Sequence, residues 1–383
     1  MKAEIKNLKK AAQRILEAVK NKEKVIIYGD SDPDGVGSVI ILEETIKELG
    51  LKPAAIYFPD REKEGYGLNE KALKFLKKYS PALLIALDCG IGNVNETETA
   101  KKMGFEVMII DHHKVLPQIP KASIICAPKQ KGDKYPFKEL ANAGLVYKLC
   151  KLLFSLAHQE FKPEKFLEIV VLATIADMMI IEADNEKFVR EGSLALNFTQ
   201  RPGLIALIDM TRFENWDSQE IRQKLVAILN AGETIRHLNE AYVLLSEKKL
   251  DKAKKMAQSL IRKSERRRQE IQRISLEIER RINDSNLIVF EGDRNWPLIL
   301  LGPSASRICN KYGKPVFLFH KEDKECPGAV RTPSGMDAVK AMMSCKDLLI
   351  TYGGHAPAAG FRLKTENLEK FKNCLVEYFK KVE

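Results

Sequence analysis

The sequence predicts an α/β protein of two domains joined by a long helix. Between Lys24 and about Leu194, short apolar runs alternate with helical patterns, as in a parallel sheet that carries helices on both faces. A highly charged stretch with helical spacing follows from Leu250, and a second set of strand-like runs begins at Asn286. Because 383 residues exceed the size at which one hydrophobic core usually stops growing, a second core is expected.

The strands of the first domain are marked by apolar runs that end in loops rich in Gly, Pro, Asp or Asn. These runs are residues 24–28, 53–58, 82–87, 106–110 and 122–125. Three of the loops that follow them carry acidic residues. Since ligands of open α/β sheets bind at the carboxyl ends of the strands, these loops are the place to expect a site.

The charged stretch predicts a connecting helix. Its apolar residues are Met256, Leu260, Ile271, Ile274 and Ile278. Thirty-odd residues at about 1.5 Å each span on the order of 45 Å, enough to hold two domains apart across a cleft. The arginine run 266–268 forms either a solvated face or a contact with a phosphate backbone. The predicted segments are residues 1–198, 199–284 and 285–383.

The second domain has strand candidates at residues 287–290 and 315–319 around a helical segment at 304–312. Its last predicted loop, residues 352–361, is rich in glycine and carries His355. Glycine at several positions indicates that the backbone there needs conformations that other residues avoid.

Composition and charge favour a protein outside the membrane with a polyanionic partner. No apolar run spans a bilayer, and the charged N-terminus has no apolar signal core, so a cytoplasmic location is expected. The formal charge of +11 favours a polyanion, although a Lys-rich proteome gives the same excess. Seven cysteines without a C-x-x-C pair are expected to be reduced packing residues.

The first strand ends in a loop with carboxylates at alternate positions, Asp30, Asp32 and Asp34. Like charges crowded at a strand end are costly unless a cation neutralises them, and hard oxygen ligands suit Mg²⁺ or Mn²⁺. For this loop alone, an Asp-rich turn or a helix cap is an equal alternative.

The third strand is followed by Asp88, and the fourth by Asp111, His112 and His113. Consecutive strand ends therefore direct carboxylate and imidazole to one edge of the sheet. Imidazole shifts the preference of such a site from Mg²⁺ toward Mn²⁺. Two adjacent histidines directly after an Asp favour a metal site over ordinary core or surface histidines.

Asp177 lies in an almost wholly apolar stretch, residues 173–180. Burying an unpaired carboxylate there is too costly, so Asp177 either caps an element or coordinates a cation. The other acidic and histidine sites favour coordination. Two ions a few ångströms apart would activate a water and stabilise the attacking and leaving oxygens of a phosphate ester.

In this order, these elements resemble the motifs of the DHH superfamily of phosphoesterases, which is named after the tripeptide found here at residues 111–113. Its first, second and fourth motifs resemble residues 30–35, 88–91 and 176–177. Within the superfamily the chain is most similar to the RecJ exonucleases. That likeness rests on residues 135–141, 229–232, 267–271, 305–308 and 312–316, and the second domain resembles DHHA1 through 353–355 and 358–360.

The resemblance implies a role for each site residue. Two Mn²⁺ or Mg²⁺ ions would be held by Asp30, Asp32, Asp34, Asp88, His112 and Asp177. The catalytic residues would be Asp111, His112 and His113, with His113 near the scissile phosphate. Contacts with the nucleic acid in the second domain would come from Ser306, Arg307, Arg331, Gly353, Gly354 and His355, and bidentate Arg suits phosphate better than Lys does.

Several positions depart from the family pattern. Tyr28 stands where many DHH phosphoesterases carry a metal-binding His, so either Asp30 takes that role or the second metal is weaker. Asn142 interrupts the usual Leu-Ala-Gly-x-Gly pattern, and a His often seen beside Trp296 is absent. The chain stops soon after the DHHA1 motif, without the OB-fold of many bacterial RecJ proteins, so lower processivity is expected.

The leading hypothesis is an exonuclease that releases mononucleotides from an end of single-stranded nucleic acid, DNA before RNA, in repair, recombination or replication. A replication or repair protein is a candidate partner. Tyr66, Trp296 and Phe361 either stack on bases or belong to the core. There are two alternatives. A nanoRNase or cyclic-dinucleotide phosphodiesterase is disfavoured by the long Arg-rich connector, and a non-catalytic replisome scaffold is disfavoured by the complete ligand set.

Overall fold

The computed structural model describes residues 4–283 and 285–381, apart from the side chain of His355. Two compact units make up the chain, the first ending at Ser264 and the second beginning at Glu265. The predicted boundaries after residues 198 and 284 stay predictions. Within the described ranges, no helix is both long enough and apolar enough to cross a membrane.

The first unit is built on a five-stranded sheet in which all neighbouring strands are parallel. Its strands are β1 (Val25–Gly29), β2 (Ala55–Tyr57), β3 (Ala82–Leu87), β4 (Phe105–Ile110) and β5 (Ile124–Cys126). Their order is β2-β1-β3-β4-β5, so the three strands that precede the predicted ligand loops are neighbours in the middle of the sheet. The predicted parallel sheet is confirmed.

Helices cover both faces of this sheet. They are α1 (Leu8–Lys20), α2 (Pro33–Glu48), α3 (Arg61–Glu64), α4 (Glu70–Leu76), α5 (Val94–Lys102), α6 (Asn142–Leu156), α7 (Glu164–Ala176) and α8 (Ala183–Asn197). Because successive strand residues point to opposite faces, Val25 and Ile27 join the core with α1, α2, α6 and α7, whereas Ile26 and Tyr28 join the smaller core with α4 and α5.

The segment after α8 also packs into the first unit. Its helices are α9 (Pro202–Thr211), α10 (Ser218–Ile221), α11 (Ala227–Leu229) and α12 (Glu240–Ser246), with a π-helical turn at Arg222–Val226. Leu207, Leu229 and Leu244 are buried in the larger core. The sequence predicted helices throughout this segment but missed a short hairpin, β6 (Thr234–Ile235) and β7 (Leu238–Asn239).

The predicted connecting helix is confirmed as α13 (Leu250–Glu279), which runs through the division between the two units. Leu260 on its first half belongs to the core of the first unit. Ile274 and Ile278 on its second half belong to a core of the second unit. Arg266 and Arg268 are exposed to solvent.

The second unit contains a mixed five-stranded sheet. Its strands are β8 (Val289–Asp293), β9 (Val316–His320), β10 (Glu325–Arg331), β11 (Leu349–His355) and β12 (Ala358–Lys364), in the order β11-β12-β10-β9-β8. Only β8 and β9 run parallel among these neighbours. The helices are α14 (Leu298–Tyr312), α15 (Ala338–Ser344) and α16 (Leu368–Phe379), and 3-10 turns lie at Lys346–Leu348 and Thr365–Asn367.

The glycine-rich segment 352–361 is not the loop that the sequence predicted, because most of it forms the β11–β12 hairpin. Of its glycines, Gly354 permits a close approach of the two strands. Gly354 has φ +133°, and a Cβ there would lie 2.6 Å from the carbonyl oxygen of Ala358. Glycine therefore marks strand contact at this position instead of a flexible loop.

The cysteine prediction was wrong for two residues, since Cys345 and Cys374 form a disulfide. Cys345 directly follows α15 and Cys374 lies in α16, and these two helices pack against each other. The partners are 29 residues apart in sequence, so no local spacing reveals them. The other five cysteines are free and buried, as predicted.

The disulfide is expected to stabilise the second unit. Replacing Cys374 by Ser removes a cross-link that closes a loop of 29 residues, and we expect a loss of about 2–4 kcal/mol in unfolding free energy. In denaturant unfolding, the free energy of unfolding of the variant should equal that of the wild type whose disulfide has been reduced. Alkylation of seven thiols instead of five in the non-reduced, unfolded protein would contradict the cross-link.

Candidate metal centre

The loop after β1 is shaped by its hydrogen bonds to α2. Asp32 Oδ1 accepts from the N–H groups of Asp34 and Gly35 at 3.1 and 2.9 Å, so Asp32 is the N-cap of this helix. Pro33 takes the first helical position, where its missing N–H leaves no bond unmade. A Cβ at Gly35 would lie 2.3 Å from the carbonyl oxygen of Asp30, so only glycine fits. The helix cap that the sequence allowed is therefore real for Asp32.

Asp34 is buried at the N-terminus of α6. Its two carboxylate oxygens accept from the backbone N–H groups of Asn142 and Ala143, both at 2.7 Å. The positive end of a helix favours a carboxylate, yet burial and the nearby charge of Asp177 raise the pKa of Asp34 to about 7. Without a further cation, Asp34 is therefore only partly ionised at neutral pH.

The imidazole of His112 is held by the carbonyl oxygen of Leu140, which lies 2.8 Å from Nδ1. Nδ1 donates in this bond, which turns Nε2 toward the carboxylates. Nε2 lies 3.2 Å from both Asp88 Oδ1 and Asp177 Oδ2. Burial alone would lower the pKa of His112, but Asp177 and Asp34 outweigh it and raise the pKa to about 9.

Two buried atoms in the middle of this cluster have no hydrogen-bond partner among the described residues. They are Asp88 Oδ1 and His112 Nε2. Burial and the charge of Asp34 raise the pKa of Asp88 well above its usual range. Because buried polar atoms are rarely left unsatisfied, a carboxylate oxygen and an imidazole nitrogen facing each other in this way fit a bound divalent cation.

The candidate ligand atoms form three groups. In each group, all atoms lie within 4.8 Å of one another. These groups are Asp88 with His112 and His113, Asp34 with His112 and Asp177, and Asp30 with Asp32 and Asp88. Asp88 and His112 each belong to two groups, so the three form one centre. All six predicted metal ligands are therefore brought together, and carboxylates with one or two imidazoles suit Mn²⁺ or Mg²⁺.

Asp111 orients its neighbours. Its Oδ1 lies 2.8 Å from Nδ1 of His113 and also accepts from the backbone N–H of His113 at 3.1 Å. Its Oδ2 accepts from the N–H of Ile91 at 3.0 Å. Burial alone would raise the pKa of Asp111, but the contact with His113 lowers it below its usual value. Asp111 therefore fixes the position of His113.

Arg61 is a site residue that the sequence analysis missed. It opens α3, and its Nε donates to Asp30 Oδ1 at 2.8 Å. Its Nη2 donates to Asp30 Oδ2 and, at 2.9 Å, to Asp32 Oδ2. The available signal was its place in the loop region after β2, at the same sheet edge as the ligands.

Tyr28 does not replace a metal-binding His. Its hydroxyl donates to the carbonyl oxygen of Gly67 at 2.8 Å, and its ring stacks on that of Tyr57 with centroids 5.3 Å apart. Tyr66 lies closer to the centre, because its hydroxyl donates to the carbonyl oxygen of Asp88 at 2.9 Å and lies 3.2 Å from His113 Nδ1. Tyr66 is 51% exposed, which suits contact with a substrate.

The other two candidates for base stacking are core residues. Trp296 is fully buried, and its indole N–H donates to Glu277 Oε2 at 2.8 Å. Phe361 is buried among phenylalanines of the second unit and lies 5.4 Å from the ring of Phe371. Neither side chain is accessible to a nucleobase.

In the second unit the structure brings together Ser306 and Arg331 of the predicted substrate residues. Arg331 Nε donates to Ser306 Oγ at 3.0 Å, and Nη1 donates to its neighbour's carbonyl oxygen. Burial lowers the pKa of Arg331, and within the described part of the chain no acid pairs with it. Arg307 is exposed, Gly353 and Gly354 lie on β11, and the side chain of His355 is outside the described residues.

Comparison with known protein families gives two matches. Residues 24–174 match the N-terminal domain of the DHH family, and residues 284–381 match the DHHA1 domain. The chain therefore carries a DHH domain followed by a DHHA1 domain. All of the clustered residues described above except Asp177 lie within the range that matches the DHH domain.

Curated relatives of this protein include two named single-stranded-DNA-specific exonuclease RecJ. The protein of Bacillus subtilis is 32% identical over 98% of the chain, and that of Thermus thermophilus is 28% identical over 98%. The chain spans 48% of the first relative and 54% of the second. It thus corresponds to about half of their length.

A solved structure described as exonuclease RecJ bound to manganese matches 98% of this chain and 95% of its own, with 26% identity and a TM-score of 0.82. The manganese complex of RecJ from Thermus thermophilus gives a TM-score of 0.87 over 98% of this chain and 55% of its own. At 24% identity, the second likeness supports the fold alone.

The pKa values of the centre predict how stability depends on pH in the metal-free protein. Folding raises the pKa of Asp34 from 3.8 to about 7 and that of His112 from 6.5 to about 9. Both groups hold more protons when folded, so unfolding free energy falls as pH rises, through Asp34 between about pH 4 and 7 and through His112 between about pH 6.5 and 9, by at most about 1.4 kcal/mol per pH unit for each group. Urea unfolding in chelator measures this slope.

Saturating Mn²⁺ should reverse the trend, because a metal displaces these protons and stabilises more strongly at higher pH. Asp34→Asn should flatten the metal-free profile below pH 7, and His112→Gln should flatten it above. A metal-free stability that rises between pH 6 and 9 would contradict the assigned pKa values.

Proposed function

We propose that this protein is a metal-dependent exonuclease that hydrolyses single-stranded DNA from an end and releases mononucleotides. The observation that carries the proposal is the buried DHH centre, in which Asp88 Oδ1 and His112 Nε2 face each other without hydrogen-bond partners in the described chain. The relatives are named as single-stranded-DNA-specific exonucleases, and this supports DNA over RNA as the substrate.

The residues present fit Mn²⁺ or Mg²⁺. Asp34, Asp88, His112 and Asp177 would hold one ion, and Asp32 with Asp88 would help to hold a second. When bound, such ions lower the pKa of a coordinated water and neutralise the charge that develops on a phosphate. Hydrolysis adds the oxygen of water to phosphorus, and the sugar oxygen leaves with a proton.

The chain's own residues have further roles. Asp111 holds His113 in position beside Asp88, and the side chain of His113 is 31% exposed, so it can donate a hydrogen bond to the scissile phosphate. Arg61 neutralises Asp30 and Asp32 at the edge of the centre. Tyr66 offers an exposed ring next to His113 for the terminal nucleotide.

Arg331 and Ser306 in the second unit would bind backbone phosphate. A half-buried guanidinium without an acid partner in the described residues is suited to an anion that it binds with two N–H groups. We further propose that the protein works in the cytoplasm on intermediates of DNA repair, recombination or replication. A protein partner stays a prediction from the resemblance.

The test is digestion of single-stranded DNA, the same sequence as RNA, and duplex DNA, each labelled at either end. Each reaction is run with Mn²⁺, with Mg²⁺ and with chelator. We expect metal-dependent mononucleotide release from single-stranded DNA, and a loss of at least about 100-fold in kcat for Asp177→Asn, since this change removes a charged ligand. The matched control, Asp251→Asn at the exposed start of α13, should keep full activity.

The Asp111→Ala, His112→Ala double variant serves as the inactive reference. If long strands survive and di- to tetranucleotides are cut, the protein is a nanoRNase or dinucleotide phosphodiesterase. If the folded wild type binds Mn²⁺ and cuts none of these substrates, the exonuclease proposal is wrong and a scaffold role takes its place. Every predicted ligand is present and clustered, which disfavours the scaffold role, and the names of the relatives support single-stranded DNA over dinucleotides as the substrate.

Arg331→Gln is expected to weaken binding of single-stranded DNA about 10- to 100-fold, because charge-assisted hydrogen bonds contribute about 1.5–3 kcal/mol. Fluorescence anisotropy in Ca²⁺ or chelator measures binding without cleavage. Arg362→Gln is the control, since Arg362 is an exposed arginine of the same unit that pairs with Glu325. Equal losses in both variants would show a general charge effect and no specific phosphate contact.

A further inference from the structure

A residue of the segment after α9 is bonded to the first metal loop. Asn239 ends β7, is only 1% exposed and is the N-cap of α12. Its Oδ1 accepts from the backbone N–H of Ala241 at 2.8 Å, which is the capping bond. Its Nδ2 donates to the carbonyl oxygen of Ser31 at 2.9 Å.

The carbonyl of Ser31 belongs to the peptide group that leads into Asp32. Fixing this carbonyl fixes the plane of that peptide and hence the direction in which the carboxylate loop leaves β1. Ser31 is bonded on its other side as well, because its hydroxyl donates to the carbonyl oxygen of Pro59 and lies 3.3 Å from Thr234 Oγ1. Thr234 also donates to Pro59, at 3.2 Å. The β6–β7 hairpin therefore contacts two of the loops around the DHH centre.

The capping role of Asn239 does not account for its amide group. A helix N-cap needs only an acceptor, which Ser, Thr or Asp supplies equally well. The donor N–H₂ is required only by Ser31. Asn239 thus has one bond that serves α12 and a second that serves the carboxylate loop, and the two can be separated by substitution.

The hairpin that presents Asn239 is itself strained. Its two turn residues, Arg236 and His237, have φ +50° and +66°, which non-glycine residues adopt at a cost of about 1 kcal/mol or more each. Tertiary contacts hold the hairpin in place. The carbonyl oxygen of His237 accepts from the N–H of Phe58 at 3.0 Å, and the ring of His237 stacks on that of Tyr57 with centroids 4.5 Å apart. A strained turn that is pinned in this way places Asn239 in a fixed position.

We propose that Asn239 is a positioning residue of the metal centre, which acts through Ser31 on the loop that carries Asp30, Asp32 and Asp34. The inference rests on the proposed function, because it takes these carboxylates as metal ligands. Asn239 touches neither metal nor substrate in this role. It sets how tightly the ion binds by holding the loop in the ligating geometry.

The test separates the two bonds of Asn239. Asn239→Ser keeps an acceptor for the cap and loses the longer side-chain amide that reaches the carbonyl oxygen of Ser31, whereas Asn239→Ala loses both. We measure the Mn²⁺ dissociation constant of the metal-free protein by titration calorimetry and its thermal unfolding in chelator. Asn239→Ser should unfold within a few degrees of wild type yet bind Mn²⁺ about 10- to 100-fold more weakly, as substitutions of residues that support a ligand do. Asn239→Ala should lose both stability and affinity.

Asn367→Ser is the matched control. Asn367 precedes α16 in the second unit and donates its side-chain amide to the carbonyl oxygen of Leu348 at 3.2 Å, so the same type of bond is lost there. It should bind Mn²⁺ like the wild type. Wild-type affinity in Asn239→Ser would overturn the inference alone. A wild-type protein that binds no Mn²⁺ would overturn the proposed function, and the inference with it.

Discussion

The first unit depends on keeping six aspartates at one edge of a sheet without mutual repulsion. Two like charges 4 Å apart repel by roughly 4 kcal/mol at the effective dielectric constant of a protein surface, so each carboxylate needs its own compensation. Asp32 caps α2 and Asp34 sits at the start of α6, where backbone N–H groups face it. Asp111 is satisfied by the backbone of Ile91 and by His113. Asp30 is paired with Arg61.

These compensations use protein donors everywhere except in the middle of the cluster. Around Asp88, Asp177 and Nε2 of His112, the described residues provide atoms that accept and too few that donate. Helix termini and hydrogen bonds hold the outer carboxylates in place, and the atoms at the centre fit a divalent cation, which would supply the missing positive charge. The metal site that we propose therefore follows from the way the sheet edge is built.

The acids and histidines could be predicted because they are local signals that directly follow apolar strands, and parallel strands bring their carboxyl ends to one edge. Arg61 and Asn239 could not be identified in this way. Each is an ordinary polar residue in sequence, and only tertiary packing shows that one pairs with Asp30 and the other with Ser31. The same holds for Cys345 and Cys374, whose contact depends on helix packing. The β11–β12 hairpin was missed because its glycines are typical of loops until a facing strand is known.

The position of Arg61 bears on the difference that Tyr28 introduces. The sequence left two outcomes open, that Asp30 replaces the missing His as a ligand or that the second ion is weaker. Asp30 offers both oxygens to Arg61, and Oδ1 also accepts from the N–H of Ser31 at 2.7 Å. A cation at Asp30 would have to compete with a bidentate guanidinium. This favours the second outcome, in which the second ion binds more weakly. The group with Asp34, His112 and Asp177 has no such competitor and is the more complete site.

The second unit contains arginines with and without an acidic partner. Arg281 pairs with Asp293 at 2.9 Å and lies over the ring of Trp296, so its charge is matched within the fold. Arg331 is more deeply placed, and a hydroxyl and a carbonyl oxygen are its partners in the described chain. Burying a guanidinium without an acid lowers its pKa and costs stability. Arg273, Arg294 and Arg362 of the same unit also pair with acids, and the contrast with Arg331 supports the proposal that a backbone phosphate binds there.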